Sequence, residues 1–378
     1  MKLVAAPNAL KGSLSAFDAA RAIAKGAARA AANADVVELA IADGGDGTAE
    51  VICRARGGVF RAAEASDGLG RVRAARYAWL EDGTAVIDVA TASGLALLAP
   101  SERRALHATS FGTGQLVRAA LDAGCSRILL GVGGSASVDG GAGILEALGA
   151  QLLDEAGVPL PRGGGALERL ARIDLSRVTP RAREVPIAIA CDVDSPLLGE
   201  AGAARLFGPQ KGATPGEVER LEVALARFAR VIAGQLGVDV AGVPAGGAAG
   251  GIAAGLHAVL GARLASGIDL VLDAVGFDAA LEGATLCITA EGRLDRQSLR
   301  NKGPIGVARR AAARGVPAIA LAGDVESDLE DADFPELAGI FSICSGPVSS
   351  TYAMQHAAAL LERAAERCTR LFVRARSS

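Results

Sequence analysis

Three lysines of this chain stand beside glycine in segments suited to a phosphate group: Lys11 in APNALKGS, Lys211 in FGPQKGA and Lys302 in LRNKGPIG. Only five of the 39 basic residues are lysine, so each one carries more information than usual. A flexible ammonium next to exposed backbone N–H groups holds a transferring phosphoryl group by charge and position alone. Lys25 also precedes glycine, but it falls within a helical pattern and reads as a solvated side chain.

Carboxylates recur in similar settings. ADGGDGT places Asp43 and Asp46 three residues apart after an apolar run, with glycines that let the backbone approach a ligand. The plainer reading, Asp46 capping the next helix, leaves Asp43 idle. The segment GVGGSASVDGGAG offers Gly133, Gly134, Ser135 and Asp139, and its small residues expose successive N–H groups ahead of a helix. It lacks the Gly-Lys-Ser/Thr of a P-loop, and its GxGxxG spacing is broken. ACDVDS sets Asp192 at a strand end, where α/β sites gather, with Lys211 following in the same connection. EGRLDRQSLRNKG supplies Glu291, Arg293, Asp295 and Lys302; the cations suit phosphate, and the carboxylates suit Arg or Mg²⁺. A salt-bridged helix start explains that segment equally well. PAGGAAGGIAAG and TASGL are further small-residue loops. With no nucleophile elbow and three isolated histidines (His107, His257, His356), the ensemble favours phosphoryl transfer over covalent or zinc chemistry.

The elements that must position these residues follow a β-α-β-α rhythm. Strands are expected at Leu3–Ala6 and Val36–Ile41, with helices over 16–32 (Ser15 its N-cap) and 46–56. A hairpin then turns at Glu81-Asp82-Gly83, between runs 71–79 and 84–89. The parallel pattern resumes at the strand 286–289, followed by a helix over 296–314 and strands 317–322 and 340–344. The expectation is an α/β chain of two α/β domains with an inter-domain cleft. One domain is a parallel-sheet, Rossmann- or flavodoxin-like unit (1–62 plus 285–378), and the other an inserted mixed-sheet unit (63–284). The active site is expected between the two lobes.

Composition narrows the function. Hydrophobic residues make up 51% and aromatics 3%, so a large core must be built from Ala, Val, Leu and Ile. A net charge of −3 with no basic, aromatic-studded patch excludes nucleic acid as a partner. There is no signal-peptide pattern and no uninterrupted membrane span, and the six scattered cysteines read as buried thiols of a cytoplasmic protein.

Taken in order, APNALKGSLSA, ADGGDGT, ATSFGTGQL, GVGGSASVDGGAG, ACDVDSPLLG, FGPQKGA, GIDLVLD and EGRLDRQSL resemble the glycerate kinase type-1 family over nearly the whole chain. The resemblance implies ATP-dependent phosphorylation of D-glycerate with Mg²⁺, in glyoxylate, photorespiratory-type or sugar-acid metabolism. It also implies two α/β domains. Lys11 and Ser13 match the KGS motif, Asp192 the ACDV aspartate, Lys211 the PQKGA lysine, Glu291, Arg293 and Asp295 the EGRLD motif, and Lys302 the lysine beyond it. Asp43 and Asp46 stand where the family usually has Asp and Glu. The chain departs at Asn8 (usually Asp), Val138 and Ser195 (usually Asn), and Ala290 and Asn301 (usually Gly).

On this reading Asp192 is the first candidate base and Asp43 the second. Arg293 and the 131–143 loop clamp the glycerate carboxylate, and Lys11, Lys211, Lys302 and Mg²⁺ (on Asp46, Glu291 or Asp295) neutralise the phosphates. The expected product is 2-phosphoglycerate, with 3-phosphoglycerate open; the expected state is monomer or homodimer. A nicotinamide-dependent oxidoreductase on a small hydroxy acid and a non-catalytic two-lobed binder are the competing classes.

Overall fold

The computed structural model describes residues 1–296, 298 and 303–377. The chain divides into two compact units, Met1–Asp43 with Ile268–Ser378, and Gly44–Gly267. The first unit opens with β1 (Lys2–Ala5), α1 (Ala16–Ala30) and β2 (Asp35–Glu38). As expected, α1 starts at Ser15, whose hydroxyl accepts the Asp18 N–H at 3.1 Å. Its buried face is Ala19, Ala20, Ile23 and Ala27, a repeat of three and four residues.

The second unit begins with α2 (Thr48–Ala55), β3 (Val59–Ser66), β4 (Val72–Trp79) and β5 (Thr84–Asp88). Next come α3 (Val89–Ser93), α4 (Phe111–Asp122), β6 (Arg127–Gly131) and α5 (Ala142–Ala147). The small antiparallel pair β7 (Gln151–Leu153) and β8 (Arg172–Asp174) leads to α6 (Arg181–Glu184) and β9 (Ile187–Ala190). The unit closes with α7 (Ala203–Phe207), α8 (Pro215–Leu236), α9 (Ala248–Leu260) and β10 (Arg263–Ala265). Its sheet runs β10-β9-β6-β5-β4-β3; the first four strands are parallel, and β4 and β3 are antiparallel additions. Ile87, Ile128, Leu130 and Ile189 from this sheet pack with Leu116, Leu225, Phe228 and Ile252 in one apolar core. A capping box holds the start of α8: Thr214 accepts from the Glu217 N–H, and Glu217 accepts from the Thr214 N–H.

The chain returns through α10 (Gly267–Ala274), α11 (Phe277–Leu281) and β11 (Ala284–Leu294). It ends with α12 (Gly303–Ala312), β12 (Ala318–Val325), β13 (Gly339–Ser342), α13 (Ser350–Gln355) and α14 (Ala357–Ser377). The first unit's sheet is wholly parallel, in the order β13-β12-β11-β1-β2. Counted within the unit, this is the flavodoxin-like order 2-1-3-4-5, whose winding reverses between β1 and β11. On one side α1 lies directly on α14: a Cβ on Gly26 would fall 2.1 Å from the Glu362 carbonyl oxygen, so only glycine permits the approach.

The units divide elsewhere than the sequence rhythm suggests, at 43/44 and 267/268 in place of 62/63 and 284/285. Helix α2 packs on β4 and β5 of the mixed sheet. Helices α10 and α11 are tied to α12 through Arg310, which contacts Asp269, Asp273 and Asp278. The strand expected at 286–289 runs on to Leu294, because Arg293 and Leu294 pair with Asp324 and Val325. Among the described residues no helix is long and apolar enough to cross a membrane.

Candidate active site

In open parallel sheets ligands bind outside the carboxyl ends of the strands, at the point where the winding reverses. In the first unit that point is occupied by a cavity of about 700 Å³, beyond the ends of β1, β11, β12 and β13. Lys11, Ser13, Glu291, Arg293 and Asp295 all line it, so five of the residues singled out from sequence converge here. Lys11 is exposed and forms no ion pair among the described residues. Ser13 donates its hydroxyl to the Leu10 carbonyl at 3.0 Å, which closes the turn that carries Lys11. Arg293 sits on β11 itself, 3.6 Å from Asp324 and 3.4 Å from Glu326. Such exposed pairs contribute little, so the guanidinium can be recruited to an anion at small cost. Asp295 accepts the Ser298 N–H at 3.1 Å, which fixes the turn after the strand. Backbone forms part of the floor: a Cβ on Gly323 would lie 2.6 Å from the Gly292 carbonyl oxygen. Lys302 lies outside the described residues.

Asp43 belongs to the same unit and is half-buried. The Asn8 side-chain amide donates to it at 3.2 Å, while Asn8 Oδ1 accepts the Ala9 N–H at 2.8 Å. An aspartate at position 8 would face a second carboxylate there, whereas the amide donates to Asp43 and needs no shared proton or cation.

In the second unit the relevant edge is the carboxyl ends of β5, β6, β9 and β10. Asp88, the last residue of β5, is buried and accepts the N–H groups of Gly47 and Ala49 at 3.1 Å. It, and not the exposed Asp46, caps α2. Gly131 makes room for it, since a Cβ at that position would lie 2.8 Å from Asp88 Oδ1. Burial pushes the Asp88 carboxyl up to about 7, against the pull of the Ala49 amide and with the charge of Asp46 adding to the rise.

The folded state therefore holds that proton more tightly than the unfolded chain. The stability Asp88 contributes is complete below the ordinary carboxylate range and is lost as pH rises through about 7. Urea midpoints of the wild type are accordingly expected to drop between about pH 4 and about pH 7 by more than those of Asp88→Asn. Parallel curves for the two proteins would show that Asp88 does not titrate in that window.

The loop 131–143 is more internally bonded than its glycines suggest. Gly133 donates to the Gly44 carbonyl at 3.1 Å, Ala136 to Ser93 at 2.8 Å and Gly140 to Gly250 at 3.0 Å. Asp139, buried completely, accepts the Ser110 N–H at 2.8 Å, the Ser110 hydroxyl at 2.9 Å, the Ser137 hydroxyl at 3.1 Å and the N–H groups of Gly141 and Gly143 at 3.3 Å. Most of the expected anion cradle thus serves to hold the loop together. Gly134 and Ser135 keep N–H groups that no described residue accepts, and Gly134 is exposed at the tip.

Lys211, read from sequence as a phosphate-facing ammonium, is 3% exposed. Its ammonium donates to the Ser135 hydroxyl at 2.8 Å and the Ser137 carbonyl at 2.6 Å, so it clamps the loop from beneath. Burial pushes it down to about 7, with the charge of Asp139 opposing. The 244–255 loop closes against the same turn: a Cβ on Gly250 would sit 2.2 Å from the Ser137 carbonyl oxygen, and one on Gly255 2.0 Å from that of Gly140. Asp192, just past β9 and half-buried, accepts the Gly267 N–H at 2.8 Å and the Ser266 hydroxyl at 3.4 Å.

Sequence reasoning missed Asp88, although a lone carboxylate closing the apolar run TAVID was a signal of the same kind as Asp192. Within TASGL, which reads only as a small-residue loop, Ser93 accepts from Thr113 through its hydroxyl and fixes Ala136 through its carbonyl.

The glycerate kinase family model matches residues 3–373. The chain belongs to the glycerate kinase family. It is similar to the glycerate kinase of Halalkalibacterium halodurans (45% identity, covering 96% of each chain). It is also similar to the glycerate 2-kinase of Escherichia coli K12 (44% identity, 91% of this chain and 90% of the other). A crystal structure assigned to glycerate kinase 2 of Salmonella typhimurium LT2 superposes with a TM-score of 0.87 at 42% identity, over 100% of both chains. As a glycerate kinase family member the chain is a kinase, an enzyme of small-molecule substrates.

Proposed function

We propose that this kinase transfers the terminal phosphoryl group of ATP to the 2-hydroxyl of D-glycerate, yielding 2-phosphoglycerate and ADP. The observation that carries the reading is the convergence of Lys11, Ser13, Glu291, Arg293 and Asp295 on one cavity where the first unit's sheet reverses its winding. Lys11 and Arg293 bring positive charge to the phosphates, where catalysis of this reaction is mostly positioning and charge neutralisation. Asp192 takes the proton from the attacking hydroxyl as the new P–O bond forms and the bond to the leaving ADP breaks. Gly134 and Ser135, with their unclaimed N–H groups, receive the glycerate carboxylate; Asp139 and Lys211 keep that loop in shape.

No group of three or more Asp, Glu, His or Cys side chains among the described residues is arranged to hold a metal. Mg²⁺ keeps most of its water and binds through nucleotide phosphates plus one or two carboxylates. Glu291 and Asp295 would hold it, and when bound it would draw charge from the phosphate oxygens. Asp46, exposed at the start of α2, is a weaker candidate.

The E. coli relative's name, glycerate 2-kinase, supports the 2-position. With ATP and D-glycerate supplied, coupling to enolase, which accepts only the 2-phosphate, is expected to give a signal without further enzymes. A signal that appears only after phosphoglycerate mutase is added would assign the 3-position. No ADP release dependent on glycerate would end the reading altogether.

A further inference from the structure

We propose that the apolar end of the first unit's cavity, built by Pro347, Val348 and Met354, is the pocket for the nucleobase of the phosphoryl donor. This rests on the reading above that the cavity takes ATP. Its two ends differ in chemistry. Beyond β1, β11 and β12 the lining is ionic: Lys11, Glu291, Arg293 and Asp324. Beyond β13 it changes to Ile343, Pro347, Val348, Ala353 and Met354. A nucleoside triphosphate is divided in the same way, with a polyanion at one end and a flat, largely apolar ring at the other.

Three observations favour a base over a purely hydrophobic guest. Val348 and Met354 remain 44% and 47% exposed, an apolar surface that a stacked ring would remove from water. The backbone N–H groups of Ser345, Gly346 and Val348 have no acceptor among the described residues, leaving donors for the edge of a heterocycle. The two ends are also joined: Met354 reaches back to the Lys11 turn, where a Cβ on Gly12 would be 3.0 Å from its terminal methyl. The volume of about 700 Å³ falls within the range that encloses ligands of this size.

The test compares ATP with inorganic tripolyphosphate, which has the phosphates and no base. In the double variant Val348→Ser/Met354→Ser, KM for ATP is expected to rise about tenfold, while the inhibition constant of tripolyphosphate against ATP stays unchanged. Both side chains are exposed and the replacements uncharged, so neither folding nor phosphate repulsion confuses the result. Lys11→Met is expected to weaken tripolyphosphate and ATP alike. If the double variant leaves KM for ATP where it was, or weakens tripolyphosphate equally, the base pocket is wrongly placed. If Lys11→Met leaves tripolyphosphate inhibition intact, the cavity is not the phosphate site, and the reading beneath this inference falls with it.

Discussion

Asp192→Asn is expected to lower kcat by about 10²- to 10⁴-fold, the usual contribution of a positioned general base. The geometry makes this a clean experiment. The Asp192 carboxylate accepts the Gly267 N–H at 2.8 Å, and the side-chain carbonyl of asparagine can accept the same bond. What the variant loses is proton affinity. Denaturation midpoints are therefore expected to stay close to wild type while turnover collapses, and KM for both substrates is expected to change far less than kcat. Near-normal turnover would remove Asp192 from the mechanism and pass the role to Asp43, whose carboxylate is already oriented by the Asn8 amide.

The second large effect is on stability. Asp139→Ala deletes the buried acceptor on which the Ser110 N–H, the Ser110 and Ser137 hydroxyls and the amides of Gly141 and Gly143 converge. Each donor left buried and unsatisfied costs about 1–3 kcal/mol. Lys211, clamped on Ser135 and Ser137, also loses the negative charge that opposes its desolvation. Some donors will find other partners, so a net loss of roughly 3–5 kcal/mol is expected, as when one member of a buried charged network is removed. Urea denaturation followed by intrinsic fluorescence and by circular dichroism reads it directly. An unchanged midpoint would show that the 131–143 loop is held by its glycine contacts alone.

Much of this was legible in the letters. Ser15 marks the start of α1, the Glu81-Asp82-Gly83 turn marks the hairpin, and carboxylates or glycines close the apolar strands at the edges where the candidate residues gather. Other features were hidden for physical reasons. The alanine-rich run VFRAAEAS carries no clear strand signal and the sequence predicts no element there, yet it is β3, fixed by antiparallel pairing along the whole of β4. EGRL reads as a loop because it is polar; β12 recruits it into the sheet, and this places Glu291 and Arg293 on a rigid strand. Lys211 looks like a surface cation because lysines usually are, and only the fold shows two acceptors waiting for it inside. The glycines of 131–143 suggested open amides, but an amide count cannot reveal that Asp139 has already taken several of them.

The places where the chain enters and leaves the second unit are near neighbours. Gly44 lies against the end of β9, its would-be Cβ 2.7 Å from the Ala190 carbonyl oxygen, and Gly267 is tethered to Asp192 two residues further along. A segment whose two cut points meet at a single strand end behaves as a cassette: a host fold can carry it between adjacent residues without being stretched.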